Sequence, residues 1–173
     1  MSALSLVGVV VIVVLAALAL SYNRLVRDRN AVAEAWGVID SELARRHDLI
    51  PGLVASVQAA AAHERQLLDD LIRIERAAAL TGDGPAERAG PERELAAAAR
   101  AVVALRERYP ALNTSQNFLS LQRELSLTED RIGAARRFYN FKVADLNRRV
   151  EAFPSNLLAS AARVARAAYF DPD

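Results

Sequence analysis

The side chains best suited to chemistry are two histidines and two aspartates in the first half of the chain. His47 and His63 are the only imidazoles, and the run H-E-R-Q-L from His63 ends in Leu67, where the H-E-x-x-H zinc signature needs a second histidine. Asp40 and Asp48 are eight residues apart, about 12 Å along a helix, too far to share a proton. Solvated or arginine-paired aspartates and polar-face or partly packed histidines are therefore predicted, with no catalytic residue and no metal site.

The composition of the chain excludes several further kinds of catalytic and binding site. The 173 residues contain no cysteine, which excludes thiolate catalysis and disulfides. The glycine-rich segment Thr81–Glu94 lacks the G-K-[ST] ending of a phosphate-binding loop. The net charge is +1, and the arginine doublets stand among compensating acids, so that salt-bridged helix faces are favoured over nucleic-acid binding. No cofactor, nucleic acid or small-molecule substrate is expected. The doublets are Arg45-Arg46, Arg136-Arg137 and Arg148-Arg149.

The N-terminal segment Leu4–Leu20 is uncharged and apolar. As a helix it spans roughly 26 Å, close to the ~30 Å hydrocarbon core of a bilayer. A retained membrane anchor is favoured over a cleaved signal peptide because no basic residue precedes the run. Arg24, Arg27 and Arg29 follow it closely, which predicts a short N-terminus outside and the remaining chain in the cytoplasm.

Beyond the span, apolar residues recur at helical spacing in two stripes. One runs from Val32 through Trp36 to Ala61, and the other from Phe118 to Tyr139 and on to Phe153. The predicted helices cover about 3–80, disturbed at Pro51, about 91–109, and about 114–153 with Thr114 or Ser115 as cap.

The predicted fold is all-α: one transmembrane helix followed by an antiparallel bundle of long helices. The bundle has four helices if Pro51 breaks the first, or three if Pro51 only kinks it. The stripe keeps its phase across Pro51, which favours the kink and would carry the end of the chain away from the membrane. The domain plan is an anchor at 1–21, a bundle at 22–153 and an amphipathic tail at 154–173.

Four residues are candidates for structural or partner roles. Trp36 lies in the first stripe and is interpreted as core, with a partner-binding surface as the alternative. Pro51 sets the bend. Asn140 and Asn147 are one heptad apart beside the second stripe, where polar residues can fix helix register; ordinary surface asparagines are the alternative. The tail fits an interfacial membrane helix and docking onto the bundle equally well.

Several segments together resemble the LemA family of bacterial membrane proteins, over Tyr22 to about Ala159. The segments are YNRLVRDRNAVAEAW, RRHDLIPGLV, HER, NFLSLQREL, TEDRIGAARRFYN and FPSNLLA. The resemblance implies an N-terminal membrane helix with its short terminus outside and an antiparallel helical bundle, with no enzymatic activity. His47 stands where the family pattern suggests tyrosine, and Gly52 where it suggests asparagine.

The expected function is a scaffold or adaptor in the bacterial cytoplasmic membrane. Its expected partners are the lipid bilayer and other membrane or envelope proteins, including copies of itself. Two alternatives stay open at this point. One is a secreted helical bundle released by signal cleavage, and the other is an enzyme with an unrecognised site.

Overall fold

The computed structural model describes the backbone of residues 3–171 and the side chains of residues 6–171, and it confirms the all-α class. Two short 3-10 turns, Leu105–Glu107 and Pro110–Thr114, connect the third helix to the fourth, and no strand occurs in the described residues. The helices are α1 (Ala3–Ala60), α2 (Arg65–Ala79), α3 (Pro85–Ala104), α4 (Gln116–Glu151) and α5 (Ser155–Ala161).

Helix α1 continues through Pro51, as the phase of its stripe indicated. Pro51 itself is exposed, so the ring meets solvent instead of the core. The residue after Pro51 is Gly52, and a Cβ at this position would lie 3.3 Å from Cδ2 of Leu121 in α4. Gly52 therefore lets the α4 leucine pack closely against the α1 backbone.

The chain reverses at residues 61–64, and the prediction of one helix to residue 80 is wrong. The N–H of Ala61 still donates a helical hydrogen bond to the carbonyl of Val57, and α2 begins at Arg65. Glu64 holds the reversal, since its carboxylate accepts hydrogen bonds from Arg108 at 2.9 Å and from the Tyr109 hydroxyl at 2.8 Å. The bundle thus reaches the four-helix count through a turn that contains neither glycine nor proline.

Helices α3 and α4 begin at different distances from their predicted starts. Helix α3 begins at Pro85, six residues before the predicted start, and Pro91 lies inside it. Proline suits the first turn of a helix because its missing N–H has no partner there. Helix α4 begins at Gln116, and the Ser115 hydroxyl accepts a hydrogen bond from the N–H of Phe118 at 3.3 Å. Ser115 is therefore the cap, as predicted.

The described residues divide into two units, of which the larger comprises Trp36–Arg137 with the final residues from Tyr169. Within it α1 and α4 run antiparallel, because Arg131 approaches Glu42 while Asn117 binds Ser56. Its core is closed by apolar side chains from all four long helices. Fully buried members include Ile50, Val57, Leu71, Leu95, Val102 and Phe118.

The other unit comprises the residues up to Ala35 together with Phe138–Ala168, and Arg149 at the end of α4 pairs with Asp28 of α1. The expectation that a first helix continuous through Pro51 carries the end of the chain away from the apolar run is therefore wrong for these residues, because the reversal at 61–64 restores the antiparallel return of α4. Leu25 and Val32 of α1 are buried, as are Tyr139, Val143 and Leu146 of α4. Helix α4 ends at Glu151, so the continuation of the second stripe to Phe153 is wrong: that ring is 80% exposed. An apolar residue can follow the stripe's spacing and still leave the core once the helix has ended.

Candidate functional site

A buried group of charged side chains occupies core positions of the larger unit. Arg46 lies three residues after Leu43 and four before Ile50, in the middle of the first apolar stripe, and is 2% exposed. Glu92 of α3 precedes buried Leu95 at the same spacing and is 1% exposed. Charged residues at such positions need partners, because an isolated buried charge is costly.

Glu92 is the centre of this charge cluster. Its Oε2 accepts a hydrogen bond from Nη2 of Arg46 at 2.5 Å, and its Oε1 lies 3.1 Å from Nε2 of His47. The second guanidinium nitrogen of Arg46 donates to Glu129 of α4 at 2.8 Å. Nδ1 of His47 lies 3.0 Å from Glu75 of α2. One cluster therefore joins side chains from α1, α2, α3 and α4.

A further arginine extends the cluster along α3. Arg88 pairs with Asp40 of α1, and its other nitrogen lies 3.9 Å from Oε1 of Glu92. Of the two alternatives predicted for Asp40, solvated or arginine-paired, the structure shows the second, with an arginine of a neighbouring helix as the partner. The carboxylates of Asp40, Glu75, Glu92 and Glu129 outnumber the two arginines, so a protonated His47 brings the cluster closer to neutrality.

The electrostatics shift two pKa values in opposite directions. The hydrogen bond to Glu92 raises the pKa of His47 above its ordinary 6.5, against the opposing effect of burial, and Glu75 adds to the increase. Burial by itself would raise the pKa of Glu92. The hydrogen bond from His47 and the charge of Arg46 outweigh it, so that the pKa of Glu92 lies below its ordinary 4.5. The folded protein therefore favours an ionised glutamate beside an imidazolium.

A cleft of about 390 Å³ opens beside the cluster, between α3 and α4. Arg46, Glu92 and Glu129 form its polar side, and Ile132 and Phe170 contribute apolar surface. Arg93, Arg100 and Arg136 also line it. Arg136 lies 3.5 Å from Asp171, so the end of the described chain runs along this cleft.

This arrangement suits a structural layer better than a reaction centre. Both ring nitrogens of His47 are engaged by carboxylates, which leaves neither in position to take a proton from a substrate. Within the described part of the chain, no group of three or more histidine, aspartate or glutamate side chains is arranged to hold a metal ion. The cluster can fix the relative register of four helices, because sliding one helix along its neighbours would separate these buried charges from their partners.

The sequence predicted a salt-bridged helix face for Arg46 and a polar-face or partly packed position for His47, and it did not single out Glu92. The signal was present in the first stripe, where Leu43 and Ile50 are separated by seven residues with no apolar residue at the intervening core position. Reading that gap as a buried polar position would have found Arg46. Its partners on α3 and α4 could not be identified from spacing alone.

The four residues predicted to have structural or partner roles lie outside this cluster. Trp36 is half-buried, and its ring makes an edge contact with Phe170, with centroids 5.3 Å apart and planes at 70°. Pro51 lies on the exposed side of α1. The core interpretation of Trp36 is thus refined: it covers the Phe170 ring of the chain's own tail.

The two asparagines differ from each other. Asn147 is buried, donates to the carbonyl of Ala167 at 3.0 Å and accepts from the N–H of Ala167 at 2.8 Å. Asn140 is half-buried. The Tyr139 hydroxyl donates to the carbonyl of Ala168 at 2.7 Å. Asn147 and Tyr139 therefore hold the tail against α4, which answers part of the question about the tail: residues 164–168 dock on their own unit.

The beginning of α1 has a different environment. Its residues from Leu6 to Leu20 are apolar and exposed. By length and composition, α1 is the one described helix that could cross a membrane. A single-pass membrane protein fits this feature.

Comparison with known proteins now gives the family. The sequence model of the LemA family matches residues 35–173, which is most of the chain and includes the charge cluster, the aromatic contact and the tail. No curated protein matches the chain significantly. Because the family match covers more than half of its length, this chain belongs to the LemA family.

Proposed function

We propose that this protein is a single-pass scaffold or adaptor of the bacterial cytoplasmic membrane, without catalytic activity. The observation that carries the proposal is that one uninterrupted helix, α1, supplies both an exposed apolar run and core residues of the bundle. The run Leu6–Leu20 needs lipid, since so long an exposed apolar surface is unfavourable in water. The bundle is thereby tied to the membrane through a covalent helix.

The charges beside the span support an orientation. Arg24, Arg27 and Arg29 are exposed on α1 just after the apolar run. Retention of such residues on the cytoplasmic side puts the short N-terminus outside and the bundle in the cytoplasm. A membrane-impermeant maleimide tests this, because the chain has no native cysteine. We expect Ser2→Cys to react in spheroplasts, and Leu80→Cys, 88% exposed, to react only after permeabilisation.

The adaptor role is supported by the pairing of the buried charged side chains with one another inside the bundle. The most buried ion pairs of the larger unit join its own helices, with Arg46 and His47 both directed to Glu92. What the bundle offers to other molecules is its outer surface, where Val38 and Leu127 are exposed. Partners of this surface are proposed to be other membrane or envelope proteins, or further copies of this chain.

Photo-crosslinking in native membranes tests the adaptor role. A photoreactive amino acid at Val38 or Leu127 should give discrete adducts, which mass spectrometry then identifies. Ile39 is the matched control, because it neighbours Val38 but is fully buried. Absence of adducts from both exposed positions would contradict the adaptor role.

Two further measurements address the alternatives. The intact mass of the protein from membranes should correspond to the chain with its apolar run retained. A mass showing loss of the first residues would instead support the secreted bundle. Turnover by purified protein that is abolished by His47→Gln would support the enzyme alternative.

A further inference from the structure

We infer that residues 152–158, which comprise the turn after α4 and the first four residues of α5 and are called the turn below, dock on the bilayer surface beside the span, with anionic phospholipid as their partner. The inference rests on the proposed membrane anchor and adds a second lipid contact to it. It concerns only the smaller unit, to which both the span and the turn belong.

Exposed apolar side chains mark this turn. Phe153 is 80% exposed and Leu157 is 63% exposed, while Ala159 immediately beyond them is buried. A phenylalanine and a leucine four residues apart, projecting from a short surface turn, are unfavourable in water. They are of the type that inserts into the boundary between headgroups and acyl chains.

An ion pair brings the turn close to the span. Arg149, in the last turn of α4, pairs with Asp28 of α1. Asp28 follows the end of the apolar run at Leu20 by eight residues, or about 12 Å of helix. Phe153 is four residues beyond Arg149, within about 14 Å of it at full extension. The turn can therefore reach the level at which α1 leaves the hydrocarbon.

The charge of the smaller unit complements an anionic surface. The unit contains eight arginine or lysine residues and four carboxylates, a formal charge of +4, whereas the rest of the chain sums to −3. Three of those carboxylates are paired with arginines of the same unit, including Glu151 with Arg166 at 3.0 Å and Asp145 with Arg148 at 3.2 Å. Each basic residue near an anionic membrane adds to its attraction.

A shallow cleft beside the turn provides a place for a headgroup. It has a volume of about 290 Å³ and is lined by Asp145, Arg148, Arg149, Ala152 and Ser155. Two guanidinium groups border it, and guanidinium is well suited to phosphate. Exposed apolar side chains at Phe153 and Leu157 and a basic cleft at Arg148 and Arg149 therefore lie next to each other along the chain.

Depth measurements on the full chain test the inference. Single-cysteine variants Phe153→Cys and Leu157→Cys carry an environment-sensitive fluorophore in liposomes containing phosphatidylglycerol. We expect blue-shifted emission and several-fold stronger quenching by lipids with a shallow nitroxide than at Leu80→Cys. The effect should weaken when phosphatidylcholine replaces phosphatidylglycerol. Ile12→Cys, inside the apolar run, reports the anchor through a deep nitroxide.

The outcomes separate the two proposals. If the label at residue 12 is quenched by the deep nitroxide but labels at 153 and 157 resemble the label at 80, docking is wrong and the anchor stands. If the label at residue 12 is not quenched, both are wrong.

A label-free measurement guards against insertion driven by the fluorophore: hydrogen exchange of residues 152–158 should slow in liposomes for the natural chain. It should remain fast for Phe153→Ser/Leu157→Ser, and equal exchange in the two proteins would overturn the inference.

Discussion

At the scale of single residues, the buried charge cluster contains ion-paired side chains that are almost fully enclosed. Arg46 is enclosed and faces two carboxylates, whereas its neighbour Arg45 pairs with Glu124 at the surface. The two arginines are adjacent in sequence and opposite in environment. They therefore form a matched pair for measuring what burial adds to a salt bridge.

Removing one partner of the buried pair should be costly. Arg46→Met leaves Glu92 buried without its main cation, and we expect a loss of about 3–5 kcal/mol in the free energy of unfolding. Arg45→Met should lose only about 0–1 kcal/mol, because solvent screens the exposed pair. Denaturant unfolding of the detergent-solubilised full chain, followed by circular dichroism, measures both. Equal losses would contradict the assigned burial.

His47 should make stability depend on pH. Its pKa is raised in the folded protein, so its stabilising contribution is complete below about pH 6.5 and is lost as pH rises through the folded-state pKa. Glu92 acts in the opposite sense: its pKa is lowered, and its contribution is lost as pH falls below 4.5 through the folded value. Melting temperatures measured across pH should decline toward alkaline pH, and His47→Gln should flatten that decline. A variant with the natural slope would show that another group is responsible.

At the scale of elements, two of the contacts that hold the C-terminal tail can be tested by substitution. In the larger unit the Trp36 ring meets the edge of Phe170. Trp36→Ala should destabilise the protein by about 3 kcal/mol, at the lower end of the range for large-to-small changes because Trp36 is half-buried. A double-mutant cycle with Phe170→Ala should give a coupling of about 0.5–1.5 kcal/mol. Zero coupling in thermal unfolding would show that the rings do not stabilise each other.

In the smaller unit, Asn147 should act as the tail's anchor. The register hypothesis predicts that leucine at Asn140 and Asn147 raises thermal stability, whereas the paired bonds to Ala167 predict the reverse for Asn147. We expect Asn147→Leu to cost about 1–3 kcal/mol because the N–H and carbonyl of Ala167 lose their partner. Limited proteolysis should then cleave near residue 167, while exposed Asn30→Leu leaves the tail protected. A stability gain in Asn147→Leu would favour the register hypothesis.

At the scale of the whole molecule, one helix carries both the lipid-facing and the core-facing surfaces. Full-length protein should stay in the membrane pellet after alkaline carbonate extraction, and deletion of residues 2–21 should release it to the supernatant. The physical reason is that the deletion removes the exposed apolar run while leaving the first buried core residue, Leu25, in place. Retention of the deleted protein in carbonate-washed membranes would show that other segments suffice for insertion.

The sequence by itself determined the elements whose signals are local. Helical periodicity specified an all-α fold, because apolar residues at steps of three and four lie on one face of a helix, which must then be buried. The uncharged run to Leu20 and a cap at Thr114 or Ser115 were likewise predictable, since length, charge and a hydroxyl are properties of the segment itself, and the structure selects Ser115.

Tertiary structure decided what depends on distant residues. The reversal at 61–64 has no glycine or proline to mark it, and Glu64 is held there by Arg108 and Tyr109 more than forty residues later. Arg46 and Glu92 belong in the core only because each supplies the other's counter-charge. Asn147 has its role through a backbone segment twenty residues beyond it. Such pairings are invisible to periodicity, because a polar residue at a core position is unfavourable until the chain brings its partner to it.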